Sequence, residues 1–232
     1  MKEAIYAYLN RYPPALELFH KLERVGNIYL IGGVLREYRD HKTIQQLRDI
    51  DIIVDIKDRV LWEDTLACYS VQRNRFDGYK LRCEDLLMDT WSIENTWAFR
   101  SRAIRCDRED YLDYLPQTVF LNIDSIIYDW EKEMWIDKVY QDAMKSRILD
   151  VVLEENPYLL LNTVRTLILK ERYQMALSRR LRKLMLSVIK EPENLSHYVD
   201  VLYNEQIRRY QQAILSKDFI HNEIYTLMQE RG

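Results

Sequence analysis

Residues 28–55 read IYLIGGVLREYRDHKTIQQLRDIDIIVD, and this stretch restricts the fold more than any other part of the chain. An apolar run at residues 28–31 ends in Gly32-Gly33, a helix-like segment follows, and a second apolar run carries Asp49 and Asp51 at alternate positions. Along a strand, side chains two apart share a face, so the two carboxylates project together while Ile50 and Ile52 turn toward a core. Paired carboxylates on a rigid strand offer hard oxygen donors suited to Mg²⁺. A glycine pair before a helix lets backbone N–H groups approach an anion. Each element alone is commonplace, a tight turn or the solvent face of a strand. In this order and at this separation they are the minimum equipment for phosphoryl or nucleotidyl transfer.

The periodicity predicts an α+β chain. Residues 4–24 read as helical, with a break at Pro13-Pro14 and a stop near Gly26. Residues 28–31 form a strand, 34–40 a helix and 48–55 a strand, and 58–68 an amphipathic helix capped by Asp58. Residues 79–82 and 86–93 alternate as two strands around a turn at Cys83-Glu84-Asp85, and residues 118–123, 126–128 and 134–136 are further short strands. Beyond Asp137 the pattern becomes helical. Leu177, Leu181, Leu184 and Val188 keep one face apolar, Pro192 ends that run, and Ser196 is placed to cap the next helix. The expected division is a catalytic domain over 1–140 and a helical domain over 141–232.

A third carboxylate is needed to complete a two-ion centre, and Asp89 is the best placed. It lies on an apolar strand between Met88 and Thr90, where an uncompensated charge is costly. Arg36 and Arg48 are the nearest candidates for phosphate contacts, with Lys80 and Arg82 behind them; Tyr79, Trp91 and Trp97 are candidates for base stacking.

Charge narrows the partners. The 232-residue chain has a net charge of −3, which argues against a general nucleic-acid coat. Yet residues 161–190 hold Arg165, Lys170, Arg172, Arg179, Arg180, Arg182, Lys183 and Lys190 against the acid Glu171. Such a patch is either a solvated helix face or a guide for a polyanion such as RNA, and Arg165, Arg179, Arg180, Arg182 and Lys183 are its candidate contacts. No run is apolar enough to span a bilayer, and the N-terminus lacks the features of a leader. Cys68, Cys83 and Cys106 show no metal-ligand spacing, and a reducing cytoplasmic setting accounts for them.

The order of glycine pair, D-x-D and lone strand carboxylate resembles the polymerase-β nucleotidyltransferase superfamily. More narrowly, IYLIGGVLRE…LRDIDIIVD is similar to the head of class II CCA-adding tRNA nucleotidyltransferases and poly(A) polymerases, whose pattern is GGxVRD followed by D-x-D. LNIDSIIYDWEKEMWIDKVYQDAMKSRILDV is similar to their TINALAYD…IDPFGG…IR segment, and ENPYLLLNTVRTLIL to their neck helix EDPLRLLRAIRFA. The likeness runs over about residues 25–175 and weakens along the chain.

It implies a mixed-sheet head followed by an all-helical domain. It also implies Asp49, Asp51 and Asp89 around two Mg²⁺ ions, an NTP such as ATP held at Gly32, Gly33, Arg36 and Arg48, and an RNA end, tRNA-like, as acceptor. The departures are specific. Residues 118–122 lack the family's basic pair, and Asn156 and Leu159 replace the Asp and Arg that read the base edge, so the fork chemistry is lost. A protein or small-molecule acceptor, as in toxin- and antibiotic-type relatives, and a non-catalytic nucleotide- or RNA-binding relative remain open.

Overall fold

The second apolar run, β2 (Asp49–Ile56), lies at the centre of a seven-stranded sheet and decides how the rest is laid down. The computed structural model describes residues 1–69, 71–74, 76, 78–189 and 194–230, so Lys190 and Pro192 of the sequence reading lie outside the described residues. Contacts divide the chain into a unit of residues 1–119 with 124–140 and a second of 120–123 with 141–232.

In the first unit the strand order is β3-β4-β5-β2-β1-β6-β7, with β1 (Gly26–Ile31), β3 (Val71–Arg73), β4 (Tyr79–Cys83), β5 (Leu86–Ser92), β6 (Ile127–Asp129) and β7 (Met134–Ile136). β2 runs parallel to β5 and antiparallel to β1, which makes the sheet mixed. Alternation along β2 separates two faces. Ile50, Ile52 and Val54 are fully buried on one of them. α2 (Pro13–Val25) and α3 (Gly33–His41) pack against β1 and β2. α2 buries Leu18, Phe19 and Leu22 completely, each worth roughly 1.5–3 kcal/mol relative to exposure. Pro13 sits in the first turn of α2, where its missing N–H costs nothing and its fixed φ favours helix, so the Pro13-Pro14 break separates α1 (Lys2–Leu9) from α2.

On the other face the same strands carry Ile53, Tyr29, Ile31 and Ile127. The segment after β5 covers them with Ile93, Phe99 and Leu115 to form one apolar cluster. That cover reaches only part of the face, and Asp49 and Asp51 lie on the remainder. Between β2 and β5, α4 (Arg59–Ala67) is capped as expected, the Asp58 side chain accepting a hydrogen bond from Leu61 N at 2.9 Å.

Two sequence expectations are corrected. Residues 118–123 do not form a strand; 3₁₀ turns at Leu115–Gln117 and Asn122–Asp124 stand there instead. The Asn122 side chain donates to Ile148 O at 2.9 Å and accepts from Asp150 N at 3.1 Å, so long-range bonds to residues 148–150 hold this segment in place of a ladder. Ser196 does not cap a helix, because α10 (Leu195–Tyr210) already begins one residue earlier, after Asn194.

After the short helices α5 (Trp97–Arg100), α6 (Tyr111–Tyr114) and α7 (Lys138–Ser146), the second unit is helical: α8 (Leu159–Tyr173), α9 (Arg179–Leu186), α10 and α11 (Lys217–Gln229), with α10 packed on both α8 and α11. Ser178 and Ser216 cap α9 and α11. The buried Gln206 amide donates to Leu215 O and accepts from the N–H groups of Ile214 and Leu215, which fixes the turn between the last two helices. A two-residue parallel pairing of β8 (Ile148–Leu149) with β9 (Ala176–Leu177), too short for the sequence to signal, ties the start of this unit to the end of α8.

Candidate active site

β1 ends at Ile31, and the chain turns through Gly32 into α3. Gly32 has φ +82°, a region that side chains disfavour, and a Cβ there would lie 2.7 Å from Asp51 Oδ2. The glycine is thus required twice, by the turn and by the close approach of the Asp51 carboxylate. Strand pairing sets Ile31 opposite Asp51 on one side of β2 and Asp89 opposite Asp51 on the other. Residues paired directly across adjacent strands face the same way, so Asp49, Asp51 and Asp89 lie on one sheet face. Asp89 is 7% exposed.

Each outer carboxylate has a cation beside it. Arg48 donates to Asp49 Oδ2 from Nε at 3.0 Å and from its terminal nitrogen at 2.7 Å. Lys80, paired with Asp89 across β4 and β5, places Nζ 3.4 Å from Asp89 Oδ2. Among the described residues no three His, Cys, Asp or Glu side chains converge closely enough to form a metal cage. The three acids form an open corner on one face, Asp49 and Asp51 along β2 and Asp89 across from Asp51, rather than a closed cluster. Such an open set of hard oxygens fits Mg²⁺, which keeps several waters and takes further ligands from substrate phosphates.

Arg36 lies beside the glycine turn, its guanidinium 4.0 Å from where a Gly33 Cβ would be, but it forms an ion pair with Asp124. One turn further along α3, Arg39 pairs with Asp137. Sequence reasoning missed Asp124 and Asp137. The available signal for Asp124 was a charge inside the apolar stretch LNIDSII, at the position where the similar family has Asn.

The aromatic candidates are engaged in packing. Trp91 donates to Thr96 Oγ1 at 3.1 Å, Tyr79 meets the Trp62 edge and the Arg73 guanidinium, and Trp97 packs on Phe76.

In the second unit the basic run is partly neutralised. Arg180 lies 3.2 Å from Glu154 and also bonds Val151 O, and Arg182 pairs with Glu230. Arg179 and Lys183 are exposed, whereas Arg165 on α8 is half-buried. The counter-charges lie outside residues 161–190, which is why that window looked so basic. Asn156 accepts a hydrogen bond from Tyr158 N at 3.0 Å, an Asx turn leading into α8.

No protein-family model matches the sequence, and a search of curated proteins finds no match. Solved structures do match. A CCA-adding enzyme in complex with ATP superposes with a TM-score of 0.61 at 14% identity, over 94% of this chain and 53% of that one. The chain shares the fold of that structure, a mixed seven-stranded sheet followed by helices. The Thermotoga maritima CCA-adding enzyme complexed with tRNA gives a TM-score of 0.59 at 15% identity, over 93% of this chain and 51% of that one. A tRNA nucleotidyltransferase complexed with a primer tRNA and an incoming ATP analogue gives 0.54 at 18% identity, over 88% and 57%. The chain therefore spans little more than half the length of these structures. Among the described residues no helix is long and apolar enough to cross a membrane.

Proposed function

We propose that the chain is a metal-dependent nucleotidyltransferase that moves a nucleoside monophosphate from an NTP to the terminal hydroxyl of an RNA, in the cytoplasm. The observation that carries this reading is the side-by-side placement of Asp51 and Asp89 on parallel strands, with the Asp51 carboxylate against Gly32. A dead scaffold has no physical reason to hold like charges on neighbouring positions of one face. The neighbours with ATP, a primer tRNA or bound tRNA support the NTP and the RNA end.

Asp49 and Asp51 would hold two Mg²⁺ ions, with Asp89 a further ligand on the acceptor side. When bound, the ions supply Lewis-acid activation of the acceptor hydroxyl and charge neutralisation of the leaving pyrophosphate. Gly32-Gly33 and the first N–H groups of α3 offer backbone donors to the triphosphate. Asp124 fixes the Arg36 guanidinium beside that turn, so Arg36 acts as an oriented, partly neutralised contact. Arg48 and Lys80 screen the outer carboxylates from one another. The Asn156 amide oxygen is taken up by the turn into α8.

The test is incubation with each labelled NTP, Mg²⁺ and total RNA. An RNA band that disappears with Asp51→Ala is the expected result. Label on the protein itself would instead identify a protein acceptor, and no label with any acceptor would leave a binding module.

A further inference from the structure

The sheet order puts the glycine turn and α3 on one side of β2 and strands β5, β4 and β3 on the other. Register pairs Gln72 with Lys80, Lys80 with Asp89, Arg82 with Leu87 and Leu87 with Asp49. All of these share the face that carries the carboxylates. On that face an open pocket of about 410 Å³ is lined by Gln72, Lys80, Arg82, Glu84 and Leu87. Arg82 and Gln72 are exposed, and Leu87 is half-buried. The lining thus holds two cations, an amide, one carboxylate and an apolar patch, immediately beside Asp49 and Asp89. Lys80 belongs both to the pocket and to the carboxylate set.

We infer that this pocket is the seat of the acceptor strand, binding the phosphodiester next to the terminal nucleotide of a single-stranded RNA through Lys80 and Arg82. The inference rests on the proposed transferase reading and deepens it by naming the acceptor's chemistry and its side of entry. A triphosphate bound at the glycine turn leaves the β5 side of the set for the incoming hydroxyl. Whatever carries that hydroxyl must then lie over β4 and β3. A strand of RNA brings a phosphate one nucleotide away, matching two cations, while Gln72 and Leu87 offer polar and apolar contact to sugar or base. A neutral sugar or a serine-bearing loop would gain nothing from Lys80 and Arg82.

The experiment measures binding of a labelled single-stranded RNA to the full chain by fluorescence anisotropy across a salt series, in EDTA and without NTP. Lys80→Gln and Arg82→Gln should each weaken binding and flatten the slope of log affinity against log salt, and together they should flatten it by about 0.7, the value for the one phosphate contact they share on a single strand. Arg82→Lys, which keeps the charge, should restore the slope. Wild-type affinity and slope in both Gln variants would overturn the inference, and so would an Arg82→Lys variant as weak as Arg82→Gln. The two readings fail separately. A flattened slope with no NTP labelling would leave the strand seat standing and sink the transferase. Labelling of RNA with unchanged slopes would sink the seat alone.

Discussion

The first unit contains two sets of acid–base pairs that look alike singly and differ as groups. Asp124 and Asp137 face Arg36 and Arg39 of α3, 88 and 98 residues away along the chain. Their carboxylates are only 6% and 5% exposed, and the pairs fasten the segment after Leu115 to the helix that follows the glycine turn. Asp49 and Asp89 instead meet cations close at hand, the chain neighbour Arg48 and the adjacent-strand Lys80. The distant pairs join two elements far apart in the chain, whereas the near pairs link a chain neighbour and an adjacent strand. They offset the repulsion among carboxylates that share one face. On the proposed function, like charges placed side by side on one face are kept for a ligand.

The comparison breaks most visibly at Asp51. Several kcal/mol of Lewis-acid assistance corresponds to about three decades of rate, so Asp51→Ala should lower NTP labelling on the order of 10³-fold. The same change should leave unfolding by urea within about 1 kcal/mol of wild type, or raise stability, because it relieves like-charge repulsion. A large stability loss at Asp51 would erase the distinction between the two sets. Asp124→Ala should do the reverse in kind. It strands a guanidinium whose side chain is 12% exposed and should cost about 3 kcal/mol in the same unfolding measurement. A variant of normal stability would show that the Arg36 pair fastens nothing.

How much of this was legible beforehand follows the range of the interactions. The D-x-D strand, its glycine turn and Asp89 were readable because period-two alternation and turn chemistry are local, and the register that aligns Asp51 with Asp89 follows once β2 and β5 are neighbours. The ion pairs of α3 were not readable, since nothing near Arg36 points 88 residues ahead to Asp124. Residues 118–123 misled for a related reason. Leu121 and Phe120 are buried, but Leu121 makes only an isolated bridge to Val151, so the apolar run reflects packing and not a ladder. The basic run of the second unit reads as more cationic than it is, because Glu154 and Glu230, which face Arg180 and Arg182, lie outside it.

A smaller effect sharpens the near pairs. If Arg48 competes with a divalent ion for Asp49, then Arg48→Gln should tighten Mn²⁺ binding by up to about fivefold, the worth of a solvent-reaching ion pair. Mn²⁺ titration followed by electron paramagnetic resonance reads this directly. Weaker binding in the variant would mean that Arg48 supports the ion site instead of opposing it.

Glu23 supplies a third case, a carboxylate that joins distant elements without an arginine. Tyr6 and the Trp130 indole both donate to its Oε1 at 2.7 Å, and His20 meets Oε2 at 2.7 Å, so one side chain of α2 gathers α1 and the turn after β6. Burial pushes its pKa up, but the hydrogen bonds from Tyr6, His20 and Trp130 outweigh that and hold it below the usual glutamate value. The folded state therefore binds this proton less readily than the unfolded chain. Its stabilisation is fully present above the ordinary glutamate pKa and is lost as pH falls through the lower folded value. Glu23→Gln should cost on the order of 1 kcal/mol at neutral pH and flatten the acid limb of stability against pH. If the acid limb is as steep in the variant as in the wild type, the protons taken up there belong to other carboxylates.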